Sequence, residues 1–162
     1  MDNPFKWLET SALGTAVSQS TWLFPAIETV HVIALALVVG SIAVLDLRLL
    51  DRTWRVRAIT ELTQDVLPWT WASFAVAATS GFLMFASAAT KYAADTPFRI
   101  KMVLLQLAGA NMLAFHRFTY RSVAAWDVNA PTPPAAKLAG GLSLLFWIGV
   151  VTCGRWVGFT TQ

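Results

Sequence analysis

Charged side chains are scarce in this chain. Asp, Glu, Lys and Arg make up 13% of its 162 residues, where a soluble domain carries about a quarter. Much of the surface is therefore expected to face something other than water. A single cysteine, Cys153, excludes an internal disulfide and a Cys-rich metal cluster. No Gly-rich phosphate loop is present, no Ser/His/Asp set is legible, and the carboxylates are not arranged for hydrolysis, so no catalytic residue is assigned. The opening MDNPFKWLET has neither the basic n-region nor the short apolar h-region of a secretory signal. The first apolar segment is expected to stay in the protein as its own insertion signal. The formal charge of +3 sits mainly at the ends of apolar segments, so no nucleic-acid footprint is read from it.

What the chain does have is apolar length. Hydrophobic residues make up 56% of it, with eight Trp and ten Phe. Four segments, Trp22–Leu45, Leu67–Ala89, Phe98–Phe118 and Leu138–Phe159, are long enough to cross a bilayer, which takes about 20 helical residues. They must be helices, because lipid leaves no other way to pair the backbone N–H and C=O groups. The expected fold is all-α: a single integral membrane four-helix bundle spanning residues 1–162. A short interfacial helix, capped by Asn3, opens it and lays Phe5, Leu8, Ala12 and Leu13 along one side. Pro25 and Pro68 are placed in the first turns of their helices. Ile59, Leu62 and Val66 form a short apolar stripe in the first loop, and NAPTPPAA is a stiff connector before the fourth span.

Lys and Arg in short loops set the orientation. Arg48, Arg52, Arg55, Arg57, Arg117, Arg121 and Lys137 lie on one side, against Lys6, Lys91, Arg99, Lys101 and Arg155 on the other. Both termini are therefore expected on the periplasmic side. Trp54, Trp69, Trp71 and Trp126 gather near one boundary and Trp7, Trp22 and Trp156 near the other, as amphipathic indoles do.

Ionisable residues within the spans are costly, so they are expected to face the bundle interior and find partners. Within FPAIETVHVIALALVVG, Glu28 and His31 are at i and i+3 and share a helix side. At about 1.5 Å per residue, Glu28, His31 and Arg155 fall roughly 9, 13 and 6 Å below one membrane boundary. Lys101 enters near the same level. These four make up an expected outward-facing polar site. A second cluster holds Asp46, Arg48, His116 and Arg117 at the cytoplasmic end, where Asp46 pairs with His116 or with Arg117. Asn111 and Gln106, with Thr79 and Ser80, lie between the two.

Each cluster has several readings. Bis-His haem ligation by His31 and His116 is disfavoured by a vertical offset of about 15 Å, although one haem on His31 alone is open. E-x-x-H directs a carboxylate and an imidazole toward one point, as in bundle-core metal sites, but this chain lacks the second such helix. A softer Cu(I) site would use His31, Cys153 and Met84. Alternatively, Glu28–Arg155 and Asp46–His116 are structural pins that fix helix pairing. GRWVG, Gly154 to Gly158, permits close helix approach within the bundle or between copies.

LFPAIETVHVIALALVVGSIAVLDLRLL, LPWTWASFAVAATSGFLMFASAATKY, FRIKMVLLQLAGANMLAFHR and GRWVGF together resemble an uncharacterised bacterial four-span membrane family, a domain of unknown function. The resemblance covers Trp22 to Phe159. It picks out Glu28, His31, Asp46, Arg48, Trp69, Asn111, His116, Arg117, Arg155 and Trp156, and it implies a bacterial inner-membrane location. The layout is distantly similar to copper-resistance membrane proteins of the D type and to small b-type cytochromes. That likeness makes a redox or metal-handling role the leading expectation, with haem b or copper as cofactor. His31 would be the ligand, Glu28 its support, and Arg155 and Lys101 would balance anionic charge such as propionates. The alternatives are passage of a solute, ion or proton between the two clusters, or an anchoring role as a homo-oligomer or with a periplasmic partner protein.

Overall fold

The computed structural model describes residues 5–51, 57–128 and 130–160. The cap expected at Asn3, Arg52 and Arg55 of the first loop, and the boundary residue Trp54 lie outside these. Two short helices, α1 (Lys6–Glu9) and α2 (Ala12–Gln19), precede the long α3 (Leu23–Leu49) and α4 (Ile59–Ser87). A six-residue α5 (Ala89–Ala94) then leads into α6 (Thr96–Ala114), and α7 (Pro134–Thr160) closes the chain. The helix of α6 continues through a π-helical turn, Phe115–Thr119, and a 3₁₀ turn, Tyr120–Ala125. The described residues contain no strand, and four helices are long and apolar enough to cross a membrane. This is a multi-pass, all-α membrane protein.

The helix ends follow local chemistry. Asp95 caps α6 by accepting from the Phe98 amide at 3.0 Å, with Pro97 in the first turn, where its missing N–H costs nothing. Ser11 caps α2 through the Gly14 amide at 3.1 Å. Pro25 lies in the first turn of α3 as expected. Pro68 does not lie in a first turn, because α4 begins at Ile59 and places it in the helix interior. There it removes one rung of the hydrogen-bond ladder. The stripe expected in a loop, Ile59 and Leu62, is thus the buried start of α4.

The four long helices pack in the order α4, α3, α7, α6, and α4 scarcely touches α6. Val38, Ala108, Trp147 and Val150 form the middle of the core. At the Arg48 end, Leu49, Ile59, Ala136 and Trp126 form a second cluster. Trp126 is buried there against protein, while Trp7, Trp22, Trp69, Trp71 and Trp156 are exposed. At the opposite end Leu8 packs on Ala86 and Ala89, so the amino-terminal helices dock on α4. Gly14 is obligatory for that docking. A Cβ there would stand 2.6–2.7 Å from the carbonyl oxygens of Leu8, Glu9 and Ala86.

Between α6 and α7 the connector ties the Arg48 end together. Asp127 accepts from the Thr60 amide at 3.0 Å and the Thr60 hydroxyl at 2.6 Å, capping α4 from another loop. Burial pushes the Asp127 carboxyl up. The hydrogen bonds from Thr60 and Ile59 and the charge of Arg48 outweigh that and hold it below its ordinary value of 3.8. A depressed carboxyl stabilises the fold above the unfolded value and loses that contribution as pH falls through the folded one. Thermal unfolding followed by circular dichroism in detergent should therefore show a stability loss below about pH 4. Asp127→Asn should be less stable at neutral pH and should lose less on acidification.

Candidate functional site

The structure brings together some of the residues expected in the two polar clusters and separates others. At one end His31 projects from α3 onto α4, where Gly81 makes room for the ring; a Cβ at Gly81 would stand 2.9 Å from His31 Cε1. His31 Nδ1 lies 2.9 Å from the Ala77 carbonyl and 3.0 Å from Ser80 Oγ. Ser80 Oγ lies 2.7 Å from the Val76 carbonyl, to which it gives its one proton. A carbonyl can only accept, so Nδ1 carries the hydrogen and the lone pair of the neutral ring is on Nε2. Lys101 of α6 lies within electrostatic reach of His31 and of Cys153 on α7. Its Nζ is 3.5 Å from where a Cβ of Gly154 would be. His31, Lys101 and Cys153 therefore come together.

Glu28 and Arg155 do not join them. Glu28 is exposed and makes no hydrogen bond or ion pair with any described residue. Three residues along a helix turn about 60° around it. That step takes Glu28 off the narrow strip by which α3 meets α4. Arg155 is also exposed, with its guanidinium 4.7 Å above the Phe159 ring. The expected Glu28–Arg155 pin and the shared Glu28–His31 focus are absent. Among the described residues no group of three His, Cys, Asp or Glu side chains is placed to hold a metal ion, and His31 Nε2 is the one donor this end offers from the expected pair.

The Arg48 end is more highly built. Arg48 is 1% exposed and donates from Nε to the Arg57 carbonyl and from Nη2 to the Asp127 carbonyl, both at 3.1 Å. Its Nη1 is 3.9 Å from Asp51, which itself pairs with Lys137 at 2.7 Å and accepts from Thr132 at 2.7 Å. Asp46 belongs to none of this. It is 5% exposed and bonds Ser143 of α7, and its Oδ2 has no hydrogen-bond partner among the described residues. The pairs expected with His116 or Arg117 are not formed. His116 is exposed, sits on the π-helical turn and gives its Nδ1 hydrogen to the Met112 carbonyl at 2.9 Å, and Arg117 faces outward. The remaining expected residues are structural or peripheral. Asn111 pins α6 to the Ala139 carbonyl of α7 at 2.9 Å, and Gln106, Trp69 and Trp156 are exposed.

Asp46 and His116 nevertheless share a space. A cavity of about 230 Å³ lies between α4 and α6, backed by α3 and α7. Asp46, Ser143, His116 and the apolar side chains of all four helices line it. Trp71, Phe74 and His116 line it and are also exposed, so they form its rim. Because α4 and α6 scarcely touch, the cavity opens sideways between them. An apolar layer of Val38, Trp147 and Val150 lies between it and the His31 end. His31 and Asp46 stand about 22 Å apart along α3.

The sequence reading missed the cavity, Ser143, and the Ala77 carbonyl that holds His31. Gly81 and Gly109, glycines inside apolar spans, were the available signals for close approach or open space. A Cβ at Gly109, on the cavity wall, would meet nothing within 4 Å.

The chain belongs to a family of unknown function, DUF6644, whose model matches residues 4–160. No curated protein and no solved structure matches it.

Proposed function

We propose that this DUF6644 protein takes a small, largely apolar molecule from the bilayer into the cavity between α4 and α6 and holds its polar end at Asp46. One observation carries the reading: a carboxyl, 5% exposed, with an unpartnered oxygen in the wall of an otherwise apolar cavity. Leaving such an atom unpaired costs about 1–3 kcal/mol, and more when it is charged. A bound molecule that supplies the missing partner removes that cost. Ligand sites are typically apolar clefts with a few convergent polar groups. At about 230 Å³ this one is below the usual drug-sized range of roughly 300–1,000 Å³. It suits the head of an amphiphile whose remainder stays in lipid. Passage along the bundle would have to cross the apolar layer around Trp147, whereas lateral entry does not.

The test is extraction of bound small molecules from purified protein, followed by mass analysis, in wild type and Gly109→Leu. Wild type is expected to carry an apolar molecule that the variant lacks. Identical extracts from both would overturn the reading.

A second reading, metal or haem handling at His31, is favoured by the hydrogen bond that directs the Nε2 lone pair away from Ala77, the arrangement that orients ligating imidazoles. It has a single nitrogen to work with, and cationic Lys101 stands nearby. On this reading purified protein shows a visible absorption band or bound metal that His31→Ala abolishes. A colourless, metal-free wild type would end it.

A further inference from the structure

Resting on the cavity reading, we infer that the bound head is a cation, a protonated lipophilic amine whose N–H supplies the donor that Asp46 lacks. The charged or titratable groups that line the cavity are Asp46 and Arg48 from α3 and His116 from the turn after α6; α4 contributes Thr63 and Thr70, and α7 contributes Ser143. Arg48 is balanced in charge. Its Nε and Nη2 go to loop carbonyls, its Nη1 has no hydrogen-bond partner among the described residues and faces Asp51 at 3.9 Å, and Arg48 and Lys137 together face Asp51 and Asp127. His116, its Nδ1 hydrogen given to Met112, adds no charge when neutral and presents an acceptor.

The Asp46 carboxylate is what remains. No Lys or Arg among the described residues lies within ion-pair distance of it, and its Oδ2 has no donor. A carboxyl held away from water in this way keeps its charge only beside a counter-charge and otherwise takes up a proton. Four aromatic side chains, Trp71, Phe74, Phe115 and Trp147, share the wall, and aromatic faces attract alkylammonium groups. One buried anion with aromatic walls and an opening toward lipid is a recognition chemistry for an apolar cation. A neutral head would leave the carboxyl to take up a proton, an anionic one would repel its charged form, and a cation alone holds it as a carboxylate.

The experiment is equilibrium dialysis of the full chain in nanodiscs against radiolabelled benzyldimethylammonium and, separately, its uncharged isostere isobutylbenzene, with empty nanodiscs as baseline. Wild type is expected to bind the cation about tenfold or more tighter than the isostere, the size of a desolvated cation–aromatic contact. Asp46→Asn should lose that preference, and Gly109→Leu should lose both probes. Equal binding of the two probes to wild type, removed by Gly109→Leu, overturns the cationic head and leaves the cavity reading standing. Binding indistinguishable between wild type and Gly109→Leu overturns both. If Asp46→Asn fails to fold, the wild-type preference between the two probes decides the question.

Discussion

Arg48→Ala should destabilise the protein by about 3–5 kcal/mol, the cost of removing one partner from a buried charged network. Arg48 is the largest fully buried side chain, and its guanidinium holds two loops at once through the Arg57 and Asp127 carbonyls. Truncation strands both carbonyls and leaves a void beside Leu49 and Ile59. Asp51 keeps Lys137 and Thr132, which places the effect nearer the lower end of that range. Lysine would recover only part of it, because a point ammonium cannot serve two carbonyls in the guanidinium's fixed fork. Unfolding in mixed micelles, followed by circular dichroism, measures the loss. The exposed Arg117→Ala and Arg155→Ala should stay within about 0.5 kcal/mol of wild type. Equal effects at all three positions would show that Arg48 is not what ties the loops.

The number and approximate placement of the spans were legible because apolar length is a property of the local sequence. Their ends were not. ITELTQDV reads as a polar loop by hydropathy, yet α4 starts at Ile59, because Ile59 packs against Leu49 and Trp126 and Leu62 is buried, while Glu61, Gln64 and Asp65 face outward. That gain comes from tertiary packing, which no local window reports. Trp126 shows the same limit: an indole suits a membrane boundary, and also a core in which its N–H finds a hydroxyl, as here with Ser122 at 3.3 Å.

The site was legible in depth and not in partnership. Counting residues along α3 put His31 and Asp46 at the right levels, since rise per residue is constant. Pairing was argued from formal charge, and that is where Glu28, Arg117 and Arg155 were wrongly drawn inward. The actual partners are a backbone carbonyl for His31 and a serine hydroxyl for Asp46. The Ala77 carbonyl has no signature in residue type; what exposes it to His31 is the absence of a side chain at Gly81. The cavity is harder still to foresee. It exists because α4 and α6 fail to meet, and a missing contact writes no pattern into either helix.

Gly109→Leu separates the cavity's function from the fold. A leucine grown from Gly109 enters the space between α4 and α6 without a clash at its first atom, since nothing lies within 4 Å of the Cβ position. Replacing a mid-helix glycine gains about 0.8–1 kcal/mol of helix propensity. The variant should therefore unfold no more easily than wild type, and its midpoint should rise. A ligand competing with that side chain meets an overpacked site, at a cost of about 1–3 kcal/mol. Every 1.4 kcal/mol is tenfold in affinity, so binding should fall by about tenfold to a hundredfold. Gly40→Leu is the matched control. It sits on α3, its Cβ position is also open, and it carries the same propensity gain without a place on the cavity wall. Stabilisation in both variants with binding lost only in Gly109→Leu is the outcome the cavity requires, because a purely structural gap between two helices would reward filling and forfeit nothing.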